Sequence, residues 1–199
     1  MRPSEVMRLF QGCGAWLEGH FVLSSGLHSR EYLQCALILQ HPTLSARACQ
    51  ALAQRFVSDE LTCVAAPALG GIVVGYETAR HLGARAIFAE RQEGVLQLRR
   101  GFQVGPNDRV LVVEDVVTTG GSVDELIRII RDAGATVVGV GALVDRSNGW
   151  VSFDVKYHAL LSRDLKTFPP ESCPLCKEGV PIHRPGSRGL STDPHVERP

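Results

Sequence analysis

Residues Arg109–Ser122 read RVLVVEDVVTTGGS, and the rest of the chain can be placed around them. Val110 to Val113 are apolar and mostly β-branched, which suits a strand covered on both faces of a sheet. Glu114 and Asp115 fall where that strand should end. Thr118-Thr119-Gly120-Gly121-Ser122 then leads into a helical pattern whose apolar face is Leu126, Ile127, Ile129 and Ile130. A strand, a Gly/Thr/Ser turn and a helix N-terminus together make an anion cradle. The glycines let the backbone turn inward, while free N–H groups and hydroxyls point at the ligand. The helix dipole alone favours an anion there by roughly 0.3–1 kcal/mol.

Two carboxylates beside a phosphate site make sense if the ligand also carries hydroxyls, or a positive charge that develops during reaction. A ribose 5-phosphate offers both, with its phosphate in the Thr/Gly/Ser turn and its hydroxyls on Glu114 and Asp115. The stretch has neither the GxxxxGK[ST] of a P-loop nor the GxGxxG of a dinucleotide site. The plain alternative is an ordinary strand-to-helix turn with solvated carboxylates.

The run VLVVEDVVTTGGS resembles the signature of type I phosphoribosyltransferases: a hydrophobic strand, two acidic residues, two variable positions and a Thr/Gly-rich phosphate loop. A second stretch, GHFVLSSGLHSREY over Gly19 to Tyr32, resembles the N-terminal hood of the orotate phosphoribosyltransferase family. Many members carry a lysine near the base where this chain has Ser24. The resemblance runs from about Gly19 to Arg146. It implies transfer of ribose 5-phosphate from 5-phosphoribosyl 1-diphosphate (PRPP) to orotate, giving orotidine 5'-monophosphate and diphosphate in pyrimidine biosynthesis. By the same resemblance Glu114 and Asp115 are the catalytic pair. The PRPP site is then Glu114, Asp115, Val116, Val117, Thr118, Thr119, Gly120, Gly121 and Ser122, with Arg91 from a neighbouring loop. Thr118 touches the base and Arg146 grips the orotate carboxylate. The implied cofactor is Mg²⁺, with no direct protein ligand expected, and the implied assembly is a homodimer.

The chain has 199 residues, enough for one domain of ordinary size. Lysine plus arginine equals aspartate plus glutamate at 21 each, which argues against nucleic acid or an anionic membrane as the main partner. No apolar run approaches the roughly 20 residues of a membrane span, and no signal-peptide core is visible at the N-terminus. Cys13, Cys35, Cys49 and Cys63 lie in apolar patterns where a free thiol acts as a small hydrophobe. The expectation is a soluble cytoplasmic protein.

Working outward, Ser4 can cap a first amphipathic helix with Val6, Leu9, Phe10, Cys13 and Trp16 inward. The Ser24-Ser25-Gly26 turn separates a short apolar stretch from Tyr32–Leu39, a hairpin-like unit outside the main sheet. Pro42 suits the first turn of a helix running to about Val57. Thr62–Ala66 reads as a buried strand, Pro67–Gly71 as a glycine turn, and a helix follows through Arg80. In the family this turn approaches the diphosphate, and Gly70-Gly71 permits close backbone approach. Ala84–Glu90 is a further strand. Arg91–Gly101 carries three arginines but neither the lysine nor the histidine usual in the orotate family's catalytic loop, and fits either a flexible flap or two short strands. Ala133-Gly134-Ala135 reads as a C-cap turn, Thr136–Val144 as a long strand ending at Asp145-Arg146, and Val155–Leu161 as the last strand.

Strands alternating with helices imply an α/β fold, a doubly wound parallel sheet of the type I phosphoribosyltransferase kind with a small N-terminal hood. The expected division is a single domain, with hood 1–40, core 41–165 and a C-terminal extension 166–199. Ligands of such sheets bind outside the carboxyl ends of the strands, where Pro67–Gly71, Glu114–Ser122 and Asp145-Arg146 all fall. In the extension, Cys173-Pro174-Leu175-Cys176 is half of a zinc-ribbon pattern with no second CxxC. A simple thiol-bearing knuckle is the reading preferred; a zinc site would need His183, His195 or a second chain. Two other functions compete. One is a phosphoribosyltransferase for a purine or another base, since Arg91–Gly101 also resembles adenine phosphoribosyltransferases. The other is a regulator that binds the sugar diphosphate without chemistry.

Overall fold

The computed structural model describes residues 1–23 and 25–185. Ser24 and His195, both singled out above, lie outside the described residues.

Six strands build the central sheet: β3 (Cys63–Pro67), β4 (Arg85–Gln92), β5 (Val95–Leu98), β6 (Arg109–Val117), β7 (Thr136–Asp145) and β8 (Lys156–Ser162), in the order β5-β4-β3-β6-β7-β8. Every neighbouring pair is parallel except the β4–β5 hairpin. The apolar runs are central for the expected reason. Val110, Leu111, Val112 and Val113 of β6 are all fully buried, because helices cover both faces. On one face α3 (Pro42–Ala53) and α4 (Gly70–Leu82) pack with α1 (Pro3–Gly12), burying Phe10, Leu52, Phe56, Leu111 and Leu143 together. On the other face α5 (Gly121–Asp132) lays Val123, Leu126, Ile127 and Ile130 over Val110, Val112 and Val140. The doubly wound α/β arrangement is therefore present.

The N-terminal unit forms its own sheet. β1 (Trp16–Val22) pairs antiparallel with β2 (His28–Leu33), and β9 (Thr167–Phe168) adds to β2's other edge. Two readings of this region need correction. Tyr32–Leu39 is not one piece: β2 stops at Leu33 and Cys35–Leu39 turns into a short helix, α2, which buries Cys35 and Ile38. Ser4 does not cap α1; the helix begins at Pro3, and the Glu5 carboxylate reaches back to accept from the Arg2 backbone N–H at 2.7 Å. Likewise α3 opens on Pro42 as expected but ends at Ala53, short of Val57.

Arg91–Gly101 takes the two-strand form. The β4–β5 hairpin turns at Glu93-Gly94, both with positive φ. Glu125 of α5 ties it down, accepting from Arg91 at 2.8 Å and from the Leu96 backbone N–H at 2.7 Å. Arg100 pairs with Glu90 at 2.8 Å. Two of the three arginines thus already have carboxylate partners, so their mutual repulsion cannot by itself keep this segment open.

Candidate active site

At the carboxyl end of β6 the chain leaves the sheet after Val117, passes through Thr118 and Thr119, and enters α5 at Gly121. Gly120 makes the turn possible. It is the N-cap, with φ +76°, and a Cβ there would come within 2.9 Å of Val151. Gly121 is different: its φ is ordinary, and an added Cβ would meet nothing nearer than the Thr119 hydroxyl at 3.7 Å. The turn encloses a small cavity of about 50 Å³ lined by Glu114 and by Val116 to Val123. Thr118 and Thr119 are exposed at its mouth. The expected phosphate-loop residues are therefore brought together around one space sized for a small group.

The acidic pair sits at the loop's base. The Glu114 carboxylate accepts from the Asp115 backbone N–H at 3.0 Å, and the Asp115 carboxylate from the Val116 N–H at 2.9 Å. Burial is the main force pushing the Glu114 carboxyl well above the usual carboxylate range. The negative charge of Asp115 and the hydrogen bond between the two side chains add to it, and the Asp115 backbone N–H opposes it. A group with positive charge or hydroxyl donors placed here would relieve that crowding.

Gly70 and Gly71, at the start of α4, explain how the pair is packed. A Cβ on Gly70 would lie 2.5 Å from an Asp115 carboxylate oxygen, and one on Gly71 would lie 3.2 Å from Glu114 Oε1. These glycines therefore admit the acidic side chains themselves. The approach expected toward a ligand is, in this structure, an approach to the carboxylates.

Arg146 follows β7, the strand next to β6, and its backbone N–H bonds Val117 O at 2.8 Å. Its side chain does not pair with the adjacent Asp145, which is buried and accepts from the Ser147 N–H at 2.7 Å. Nε of Arg146 is sealed from solvent and has no hydrogen-bond partner. Burial lowers this guanidinium's pKa, while Tyr32 and Cys35 pull the other way. Tyr32 and Cys35, from the hairpin and α2, lie near both Arg146 and the acidic pair: Cys35 reaches the Asp115 carbonyl at 3.8 Å, and the charges of Arg146 and Asp115 both act on the Tyr32 hydroxyl, whose pKa burial raises. The sequence pattern flagged Tyr32 as part of the hood, but the role of Cys35 beside the acidic pair was not visible in it.

Arg91 stands apart. It does not line the loop cavity, and its guanidinium is held by Glu125 and the Gly94 carbonyl.

The family model for the phosphoribosyl transferase domain matches residues 37–168, about two-thirds of the chain. The chain belongs to this family. A curated relative from Pelotomaculum thermopropionicum, named orotate phosphoribosyltransferase, is 54% identical over 190 residues, covering 96% of this chain and 100% of that one. Among solved structures, an orotate phosphoribosyltransferase from Aeropyrum pernix superposes with TM-score 0.67 at 24% identity, covering 79% of this chain and 93% of that one. An adenine phosphoribosyltransferase from Rhodothermus marinus gives TM-score 0.59 at 25% identity, over 67% of this chain and 87% of that one. Fold similarity alone therefore does not choose the base; sequence identity and the site must do so.

Proposed function

We propose that the chain is an orotate phosphoribosyltransferase, moving ribose 5-phosphate from PRPP to N1 of orotate and releasing diphosphate, a step of pyrimidine biosynthesis. Full-length similarity to curated enzymes of that name, at 54% and 50% identity, supports the assignment. The structural observation that carries it is Arg146 Nε, a buried donor lacking an acceptor one strand away from the phosphate loop. An unpaired buried donor is costly, and orotate's carboxylate would satisfy it. A neutral base such as adenine or uracil offers it only uncharged, weaker acceptors.

In this reading the Gly120–Ser122 backbone and the Thr118 and Thr119 hydroxyls take the 5'-phosphate at the N-terminus of α5. Glu114 and Asp115 accept from the ribose hydroxyls and stabilise positive charge developing at the anomeric carbon, so the catalytic effect is positioning and charge placement. Thr118 at the cavity mouth borders the base. Arg91 serves the diphosphate by exchanging its Glu125 partner for phosphate oxygens.

The donor set fits Mg²⁺ carried by the substrate. Both carboxylates already fold onto backbone N–H groups, leaving their remaining oxygens for the ribose or for metal-bound water. When bound, the ion neutralises the leaving diphosphate. Leu69, Val73 and Tyr76 are exposed on the outer side of α4, at a spacing that makes one apolar stripe, and this supports a homodimer. No helix among the described residues is long and apolar enough to cross a membrane, and six unpaired thiols support a reducing, cytoplasmic location.

The test is product formation from orotate and PRPP with and without Mg²⁺, alongside adenine, xanthine and uracil. Turnover of orotate alone is expected. Turnover of another base, or PRPP binding without turnover, would replace this reading with the purine or regulatory one.

A further inference from the structure

Four side chains from opposite ends of the chain meet behind the hairpin: His20 of β1, His28 at the start of β2, and Cys173 and Cys176 of the C-terminal knuckle. One potential ligand atom from each lies within 4.8 Å of all the others. His20 and Cys173 are fully buried, and His28 nearly so. Cys176 Sγ lies 3.3 Å from His28 Nδ1 and 3.7 Å from His20 Nε2, while Cys173 Sγ lies 3.5 Å from His20 Nε2. The knuckle is a 3-10 turn, Pro170–Ser172, running into a short helix, α6 (Pro174–Lys177); Cys173 is the N-cap of that helix and Cys176 lies within it.

We propose that these four residues form a structural Zn²⁺ site that staples the N-terminal hairpin to the C-terminal segment. Zn–S bonds of about 2.3 Å and Zn–N bonds of about 2.0 Å give a tetrahedron with N···S edges of about 3.5 Å. Three of the four thiol–imidazole separations, at 3.3, 3.5 and 3.7 Å, fall around that value. The imidazole nitrogens are 2.8 Å apart, about 0.5 Å inside the N···N edge of such a tetrahedron, a gap that a small rotation of either ring opens.

The protonation pattern also suits a metal. His20 Nδ1 lies 2.8 Å from the Val180 carbonyl. A carbonyl can only accept, so Nδ1 carries the proton and Nε2 presents its lone pair to the cluster. A ligating histidine held by its second ring nitrogen on a backbone carbonyl is the usual outer-shell arrangement of zinc sites. Two thiolates and Zn²⁺ sum to zero charge, which suits a buried place. Four protein ligands leave no open position, so the ion would hold structure and do no chemistry.

The surrounding backbone agrees with a staple. His183 N–H bonds His20 O at 2.7 Å, Val22 N–H bonds His183 O at 3.0 Å, and β9 pairs with β2. His183, a candidate fourth ligand from sequence spacing, instead sets its ring against Phe21, with centroids 6.0 Å apart. Through β2 the site would fix Tyr32 beside Arg146. The inference does not depend on the orotate assignment, because it rests on no residue of the phosphate loop.

The test uses the full chain, tag removed, purified under reducing conditions without chelator. Elemental analysis should find about one zinc per chain. Replacing the zinc with Co²⁺ should give the visible absorption of tetrahedral cobalt with a thiolate charge-transfer band. Cys176→Ser is the first variant, since Cys176 is exposed and its loss leaves the core packed; it should weaken metal binding at least tenfold and remove the response of the melting temperature to chelator. His28→Ala, scored by cobalt spectrum, is the second. A chain with less than about a tenth of an equivalent of zinc and no cobalt spectrum would overturn the proposal. So would a Cys173–Cys176 disulfide in freshly isolated protein, or a folded Cys176→Ser chain that holds zinc as tightly as the parent.

Discussion

Arg146→Leu gives the sharpest separation between binding the sugar and reading the base. The backbone N–H of residue 146 still bonds Val117 O in the variant, so the junction of β7 with the phosphate loop survives. The guanidinium's buried Nε has no partner to lose, and taking away an unsatisfied buried donor should leave the melting temperature unchanged or raised. Orotate is affected differently. A charged hydrogen bond contributes about 1.5–3 kcal/mol, and every 1.4 kcal/mol or so is tenfold. Loss of one such bond therefore lowers kcat/KM for orotate about tenfold to a hundredfold, and loss of a two-pronged grip lowers it further. PRPP affinity by calorimetry should change less than about twofold, because the proposed function assigns the sugar phosphate to the loop after β6. Arg146→Lys should fall between, keeping the charge without the planar fork. A Leu variant that uses orotate as well as the parent, or one that loses PRPP as severely as orotate, would refute the assignment of Arg146 as the carboxylate reader.

Gly121→Val should abolish PRPP binding without a large loss of stability, because its backbone φ is ordinary and the new methyls stand beside Thr119 at the cavity; unchanged affinity in calorimetry removes the loop from the site. Gly120→Ala should by contrast lower stability by roughly 1–2 kcal/mol through its positive φ, with contact to Val151 adding to that, read from denaturant melts. Because the folded state holds the Glu114 proton more tightly than the unfolded chain does, the parent loses stability as pH rises above the ordinary carboxylate range. Glu114→Gln should therefore raise the neutral-pH melting temperature, with the gain fading toward acid pH; no gain at neutral pH contradicts the reading of that pair. Glu125→Ala should speed amide exchange at Leu96 at least tenfold, since Glu125 accepts from that N–H and from Arg91; equal protection would show that strand pairing alone fixes the hairpin.

What could be read from the sequence follows the range of the forces involved. The central sheet and α5 were legible because each was written in one continuous stretch: a buried run such as Val110–Val113, then a turn, then an apolar stripe every third or fourth residue. The Thr118–Ser122 turn was legible for the same reason, as its residues are consecutive and line one cavity. Less was legible where a partner distant in sequence decides a side chain's surroundings. Arg91 looked like a free cation beside two others, but Glu125, on the helix across the hairpin, takes its charge. Gly70 and Gly71 read as room for close backbone approach to a ligand's phosphates, and the folded chain also sets Asp115 against the first and Ala66 and Glu114 against the second.

The cysteine knuckle shows the limit most clearly. Spacing along the chain pointed from Cys173 and Cys176 to His183, His195 or a second chain. His20 and Cys173 are 153 positions apart, and no periodicity relates them. They meet because β9 adds to β2 and His183 pairs with the backbone of β1, so the chain's last described segment returns to its first hairpin. Alternation along β1 is also interrupted, since a bulge between Glu18 and Phe21 shifts the register there. It leaves His20 and Phe21 both buried, where strict alternation would put one of them in solvent. Only the folded chain displays what the proposed site needs of His20: a ring turned inward, with Nδ1 on a carbonyl and Nε2 facing His28 and both thiols.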